Sequence, residues 1–148
     1  MHRKDFIKTC GLACLGGTAL MLSLPGCAGS KIVTGTLSGE DILVPLNAFE
    51  SIKKNQTTYR SYVVVQNDQL QYPICIFRFS DKEYTALLMQ CTHQGAELSV
   101  FGDKLLCSAH GSEFDNKGGV QNGPADKSLK TFPVTIEPTQ IKISLKKA

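Results

Sequence analysis

Apolar residues recur at every second position through most of the chain after residue 30, and this alternation is typical of strands with one buried face. No stretch there sustains the roughly 3.6-residue period of a helix. Clusters of Gly, Asn, Asp, Ser and Pro separate the alternating runs and predict turns. The pattern predicts strands over 32–37, 41–45, 61–66, 74–79, 85–90, 129–134 and 140–145, with one short helical turn within 46–54. Short strands at this spacing predict an all-β fold, a small antiparallel β-sandwich or barrel.

Two short Cys/His pairs lie between the fifth and sixth predicted strands. The first is Cys91-x-His93, and the second, thirteen residues further on, is Cys107-x-x-His110. Of the three histidines in the chain, only His2 lies outside these pairs. Thiolate and imidazole bind soft and borderline transition metals well. The spacing therefore predicts a metal site to which each of two loops contributes one cysteine and one histidine.

Three interpretations of these four residues compete. A zinc site is chemically possible, but structural zinc ligands usually pair cysteine with cysteine and histidine with histidine along the chain. A structural disulfide between Cys91 and Cys107 would leave both histidines without a role. The third interpretation is an iron-sulfur cluster in which two cysteines hold one iron and two histidines hold the other. We favour the third because it uses all four side chains.

The sequence around the two pairs resembles the Rieske [2Fe-2S] family. The resemblance rests on three stretches, which are Cys91-Thr92-His93-Gln94-Gly95, Cys107-Ser108-Ala109-His110-Gly111-Ser112-Glu113-Phe114-Asp115 and Gly123-Pro124-Ala125. It covers about residues 88–133 and implies one [2Fe-2S] cluster per chain. By the same resemblance, Gly123-Pro124-Ala125 forms a third loop over the cluster.

The resemblance also implies a role for each site residue. Cys91 and Cys107 would hold one iron, and His93 and His110 would hold the other. The hydroxyl of Ser112 would donate a hydrogen bond to a bridging sulfide. The cluster-binding loops, within about 88–128, would form a subdomain inserted in a Rieske-like base domain, with a tight hairpin over 100–105 joining the two ligand loops.

Three further positions distinguish this chain within the family it resembles. Phe114 stands where high-potential members carry a tyrosine that donates to a cysteine sulfur, so a middling potential is expected. Ala96 and Ala109 occupy the positions at which respiratory-complex members carry a disulfide between the loops. Lacking this disulfide weakens the case for a cytochrome bc-type subunit without removing it.

The ligand types set the electrochemistry of such a cluster. Two ferric ions, two sulfides and two thiolates sum to zero charge, whereas four thiolates would leave the oxidised cluster doubly negative. A neutral cluster accepts an electron more easily. Replacing two cysteines by histidines accordingly raises the potential from about −400 mV to a range of about −150 to +300 mV.

The first 26 residues are expected to be a signal peptide rather than part of the fold. Arg3, Lys4 and Lys8 form a basic start, and an uncharged apolar run follows. The box 24–27 resembles a bacterial lipoprotein signal with Cys27 as the lipidated residue, and the basic start resembles a twin-arginine leader. An uncleaved membrane anchor is the alternative, because about 20 apolar residues span a bilayer.

The remaining chain, 27–148, is expected to be one domain. The formal net charge of the full sequence is +3, and it falls to near +1 without the leader. A charge this small does not indicate a surface that binds nucleic acid. Cys75 is left without an evident partner and is expected to be a small buried hydrophobic residue. Alternation in its strand would place Cys75, Phe77 and Phe79 on one face.

The function implied by the resemblance is one-electron transfer in a membrane-associated respiratory-type chain. The alternative is the iron-sulfur subunit of a quinol-oxidising cytochrome bc-type or arsenite-oxidase-like complex. Expected partners are redox proteins, with a quinone or a cytochrome among the candidates. The location expected is the periplasmic side of a membrane, with the chain tethered through lipid on Cys27. No nucleophile paired with a base is evident, so the chain is not expected to be an enzyme by itself.

Overall fold

The computed structural model describes residues 31–146. In that range the chain forms fifteen strands and one 3-10 helix, Leu46–Phe49. The strands are β1 Ile32–Thr34, β2 Thr36–Ser38, β3 Asp41–Pro45, β4 Glu50–Lys53, β5 Gln56–Tyr59, β6 Tyr62–Gln66, β7 Ile74–Ser80, β8 Glu83–Leu88, β9 Ser99–Phe101, β10 Lys104–Leu106, β11 Glu113–Asp115, β12 Val120–Asn122, β13 Thr131–Phe132, β14 Val134–Ile136 and β15 Gln140–Ser144.

Two sheets form the base domain. A five-stranded sheet has the order β1-β6-β7-β8-β13, and a four-stranded sheet has the order β14-β15-β3-β2. Their facing side chains make one hydrophobic core, because alternate residues of each strand point to the same side. The members that are wholly buried include Ile42, Val44, Val63, Val65, Ile74, Ile76, Ile141 and Ile143.

A third sheet, β12-β11-β10-β9, lies in the chain between β8 and β13 and forms the cluster-binding subdomain. It shares a second core with the opposite face of the five-stranded sheet. This core includes Cys75, Phe77, Leu87, Met89, Cys91, Leu98, Leu105, Cys107, Phe114, Ala125 and Leu129. The expected fold class, a small β-sandwich with an inserted cluster-binding subdomain, is confirmed.

The predicted first strand, 32–37, is wrong in one respect, because it is divided at Gly35 between two sheets. A Cβ on Gly35 would lie 2.5 Å from Ile42 Cγ2 and 2.7 Å from Val65 Cγ1, so only glycine fits where the chain crosses the core. The strand β1 then runs parallel to β6, with Ile32 opposite Val64. This parallel pair is an exception within the predicted antiparallel fold, since alternation of side chains does not encode strand direction.

The short helical turn expected within 46–54 is present as the 3-10 helix Leu46–Phe49. After Phe49 the chain enters a two-stranded hairpin, β4 with β5, whose turn places Lys54 and Asn55 at φ 49° and 59°. The face predicted for the strand at 74–79 is correct for Cys75 and Phe77. Phe79 is 37% exposed because the pairing of β7 with β8 shifts register between Arg78 and Ser80.

The predicted leader over 1–26 and Cys27 lie outside the described residues. Within 31–146, no helix is long and apolar enough to cross a membrane.

Candidate metal centre

The two ligand loops fold in the same way. In the first, Cys91 N donates to Ala96 O at 2.8 Å, and Gly95 N donates to Cys91 O at 2.8 Å. In the second, Cys107 N donates to Ser112 O at 2.8 Å, and Gly111 N donates to Cys107 O at 2.9 Å. Each loop therefore closes a ring of six residues that begins with its cysteine.

A glycine in the fifth place of each ring makes this fold possible. Gly95 has φ +75° and Gly111 has φ +79°, in the region that other residues rarely adopt. The hairpin of β9 and β10 connects the two loops, as the sequence predicted for 100–105, and pairs Leu105 with Val100.

The two cysteines lie on the inner side of the site. Cys91 is 2% exposed and Cys107 is 0% exposed, and neither forms a disulfide. Burial raises the pKa of the Cys107 thiol. Hydrogen bonds to its sulfur, from the backbone N–H groups of His110 and Ala109 and from the Cys91 thiol, outweigh burial and lower that pKa below its ordinary value. The loop thus favours a thiolate, which is the form that binds metals.

The two histidines lie on the outer side. Their rings are 4.9 Å apart between centroids and nearly perpendicular, at 89°. His110 is exposed, whereas His93 is half-buried. Within the described chain, His93 Nδ1 is buried and has no hydrogen-bond partner. A buried polar atom without a partner is costly, so it calls for an unseen ligand.

The third loop is bonded to both ligand loops. Ala125 N donates to the Ser112 hydroxyl at 3.0 Å, and Ser112 is fully buried. The Thr92 hydroxyl donates to Lys127 O at 2.6 Å. Because the Ser112 oxygen accepts from Ala125, its own proton is free to be donated elsewhere.

Side chains from outside the rings hold the carbonyl groups of the two loop glycines. The Tyr72 hydroxyl donates to Gly95 O at 2.7 Å, and the Asn122 amide donates to Gly111 O at 3.2 Å. Sequence analysis missed both donors. Asn122 directly precedes the Gly-Pro-Ala stretch, which gave a weak signal, while Tyr72 gave none because it lies nineteen residues before the first ligand.

Two buried residues behind the cysteines complete the site. Phe114 is 0% exposed and packs in the same core as both cysteines. Cys75 is also 0% exposed and has a free thiol, which confirms its expected role as a buried hydrophobic residue. Burial raises the pKa of Cys75, so its thiol stays protonated and unreactive.

The arrangement fits a [2Fe-2S] cluster held by two cysteines and two histidines. Two adjacent thiols face inward, and hydrogen bonds lower the pKa of one of them, Cys107. Two adjacent imidazoles face outward, and one imidazole nitrogen lacks a partner among the described residues. Among residues 31–146, no group of three or more His, Cys, Asp or Glu side chains is placed to hold a single metal ion. A cluster of this kind requires only two protein ligands for each iron, since sulfides occupy the other positions.

A cleft of about 350 Å³ opens beside His93, the histidine of the first loop. Thr92, His93 and Gln94 form one wall, and Lys127 and Lys130 contribute to the other. The cleft places polar and basic groups next to the side of the site that faces solvent.

Fold and site together define a small β protein whose paired Cys/His loops fit an iron-sulfur cluster. The profile of the Rieske [2Fe-2S] domain family matches residues 43–133, more than half of the chain. The chain belongs to the Rieske [2Fe-2S] family. It carries a [2Fe-2S] cluster and functions in one-electron transfer.

Relatives of known name support this assignment. The chain is 28% identical to a cytochrome b6-f complex iron-sulfur subunit of Cyanothece sp. strain PCC 7425, over 87% of this chain and 76% of the relative. It is 39% identical to the corresponding subunit of Prochlorococcus marinus strain NATL1A over 56 residues, which span 36% of this chain and about a third, 32%, of that relative.

A solved structure supports the fold. The plasma membrane Rieske protein PetC3 from Synechocystis PCC 6803 matches with a TM-score of 0.50 and 23% identity, over 57% of this chain and 86% of that protein. At this identity the likeness establishes the shared fold.

Proposed function

We propose that Cys91 and Cys107 ligate one iron of the cluster and that His93 and His110 ligate the other. The observation that carries this proposal is the segregation of the site into an inner pair of thiols and an outer pair of imidazoles. When bound, the cluster accepts and releases one electron at a time. The chain bonds the buried Cys107 sulfur to the backbone N–H groups of Ala109 and His110, and it leaves the His110 side chain exposed.

Metal analysis and spectroscopy test the ligand assignment. Purified protein should contain about two irons and two acid-labile sulfides per chain. Reduction should give a rhombic EPR signal with an average g value below 2, as the family resemblance implies. His110→Ala should abolish this signal. Stoichiometric zinc without labile sulfide in iron-replete protein would refute the assignment.

We further propose that the chain is the iron-sulfur subunit of a quinol-oxidising complex of the cytochrome bc type. The named relatives, which are cytochrome b6-f complex iron-sulfur subunits aligned over most of this chain, support this choice. The cleft beside His93 and the exposed His110 supply a surface that a partner can approach. One-electron transfer by a free carrier is the second candidate. It is favoured by Ala96 and Ala109, which stand where respiratory-complex members carry the two cysteines of a disulfide between the loops.

Affinity purification from native membranes separates these candidates. A tagged chain in a bc-type complex should retain b-type and c-type haem at a fixed ratio through a mild detergent. A chain that elutes without haem, while still carrying its cluster, would favour the free carrier.

We propose that the chain is exported and tethered to a membrane through lipid on Cys27. The sequence of 1–27 supports this, with its basic start, apolar run and lipoprotein-like box. Two or more acyl chains give stable anchoring where one is marginal. Mass spectrometry of membrane-extracted protein should find an acylated Cys27 at the mature N-terminus. An intact Met1 would favour the uncleaved anchor instead, and cleavage without lipid would leave the protein free in the periplasm.

A further inference from the structure

The loop glycine carbonyls are held from two different parts of the molecule. Asn122 belongs to the cluster-binding subdomain itself and bonds to Gly111 O at 3.2 Å. Tyr72 belongs to the base domain, in the connection between β6 and β7, and bonds to Gly95 O at 2.7 Å. The glycine carbonyl of the first ligand loop is therefore held by a phenolic hydroxyl of the base domain.

We propose that Tyr72 is a positioning residue for the cluster, acting through the peptide group that joins Gly95 to Ala96. This inference rests on the proposed assignment of Cys91 and His93 as ligands. The hydroxyl holds the carbonyl of that peptide on the side facing the base domain. Because a trans peptide directs its C=O and N–H to opposite sides, the Ala96 N–H is thereby directed away from Tyr72.

The peptide needs such a hold because of its sequence. Gly95 has φ +75° and lacks a side chain, so its own packing restrains it little. Ala96 is half-buried and makes no covalent link to the second loop. A Cβ added to Gly95 would lie 3.8 Å from the Tyr72 oxygen, which shows how closely the hydroxyl approaches the loop.

Tyr72 is itself well placed to act as a fixed point. The next residue, Pro73, is buried, and its carbonyl accepts a hydrogen bond of 2.9 Å from Met89 N. Met89 lies two residues before Cys91 and is 4% exposed. The connection that carries Tyr72 is thus bonded to the segment that leads into the first ligand, so the hydroxyl and the loop share one rigid support.

Tyr72→Phe tests the proposal, since it removes the hydroxyl and keeps the ring. We expect the variant to retain its iron, to show a lower midpoint potential and a shifted EPR spectrum, and to lose iron to a chelator about 10 to 100-fold faster. We expect the potential to fall because the peptide N–H, which the proposal directs toward the cluster, would no longer be held near the extra negative charge of the reduced state. Tyr59→Phe, at an exposed tyrosine of β5, is the matched control and should change none of these.

A Tyr72→Phe protein that matches wild type in potential, EPR spectrum and iron release would overturn the proposal. A change confined to the thermal unfolding midpoint would overturn it as well, because it would assign the hydroxyl a purely structural role. Failure of the ligand assignment would be recognised separately, as wild-type protein that lacks the rhombic EPR signal.

Discussion

Ser112 is a buried hydroxyl whose oxygen accepts from Ala125 N at 3.0 Å, which leaves its proton for the cluster side of the loop. Ser112→Ala should lower the midpoint potential, because the reduced, more negative cluster loses a hydrogen-bond donor. The expected shift is tens of millivolts, and for a one-electron couple about 59 mV corresponds to a tenfold change in the equilibrium constant. The substitution should also cost about 1–3 kcal/mol of stability, since the Ala125 N–H loses its acceptor in a buried place. Protein-film voltammetry and denaturant unfolding measure the two effects.

The control for this change is Ser99→Ala, at an exposed serine of β9. It should leave both the potential and the stability unchanged. An unaltered potential in Ser112→Ala would show that the hydroxyl does not bond to the cluster.

Phe114 is the second residue with a defined electrochemical prediction. It is wholly buried in the core that contains both cysteines. By the family resemblance, a hydroxyl added to its ring would donate to a cysteine sulfur. Phe114→Tyr should raise the midpoint potential by tens of millivolts, by stabilising the reduced, more negative state. Phe132→Tyr adds the same hydroxyl in the other core and should leave the potential unmoved in the same voltammetric experiment. A fall in potential would contradict the expected direction.

At the scale of elements, the hairpin between the ligand loops depends on one turn. Gly102 has φ +63° at the first position of the two-residue turn that joins β9 to β10, as hairpins of this kind prefer. Nothing lies within 4 Å of a Cβ built on Gly102, so the cost of a side chain is purely one of backbone strain.

Gly102→Ala should therefore lower the stability by about 1–2 kcal/mol. Thermal unfolding followed by visible circular dichroism of the cluster measures this loss. Asp103→Ala, at the next position of the same turn, should change stability by less than about 0.5 kcal/mol. Equal losses of stability in the two variants would show that backbone strain at Gly102 is not the cause.

The elements also show which parts of the fold the sequence could predict. Strands with one buried face, such as β3, were predicted with correct bounds because alternation reports burial directly. The short strands β11 and β12 were not predicted, because a strand of three residues shows too little alternation. Both also lie close to the Cys/His pairs, where the residues were interpreted as parts of ligand loops. The hairpin of β4 and β5 was missed because both its faces are largely exposed.

For the site, the sequence pointed to the two Cys/His pairs and to Ser112, but not to the hydrogen-bond donors Tyr72 and Asn122. The structure places the two thiols inside and the two imidazoles outside, and the assignment of Cys91, His93, Cys107 and His110 as ligands stays a prediction. Tyr72 could not be predicted because its contact with Gly95 depends on how the base domain meets the first loop. Such contacts depend on tertiary structure and leave no local pattern.

At the scale of the whole molecule, two cores share one sheet. Strand β7 buries Ile74 and Ile76 against the base domain and Cys75 and Phe77 against the cluster-binding subdomain. Only the second core contains the two cysteines. The free energy of metal binding should therefore support the subdomain much more than the base.

Removal of the iron with a reductant and a chelator tests this division. Amides within 91–125 should exchange hydrogen rapidly in the stripped protein, while those of β3 and β15 remain protected because their core contains no ligand. Hydrogen exchange with mass spectrometry measures both regions in one experiment, with the loaded protein as reference. Uniform loss of protection would show that the two cores unfold as one unit.

Among residues 31–146, the cysteines face inward and the histidines outward, so electrons are expected to enter and leave on the histidine side. Behind Cys91 and Cys107 lie buried side chains and then the shared sheet, whereas His110 meets solvent directly. A donor and an acceptor that both need close approach must then compete for one patch of surface, and the protein serves them in turn. If both partners use this patch, we expect the rate of electron transfer through the protein to depend on how quickly it leaves one partner and reaches the next.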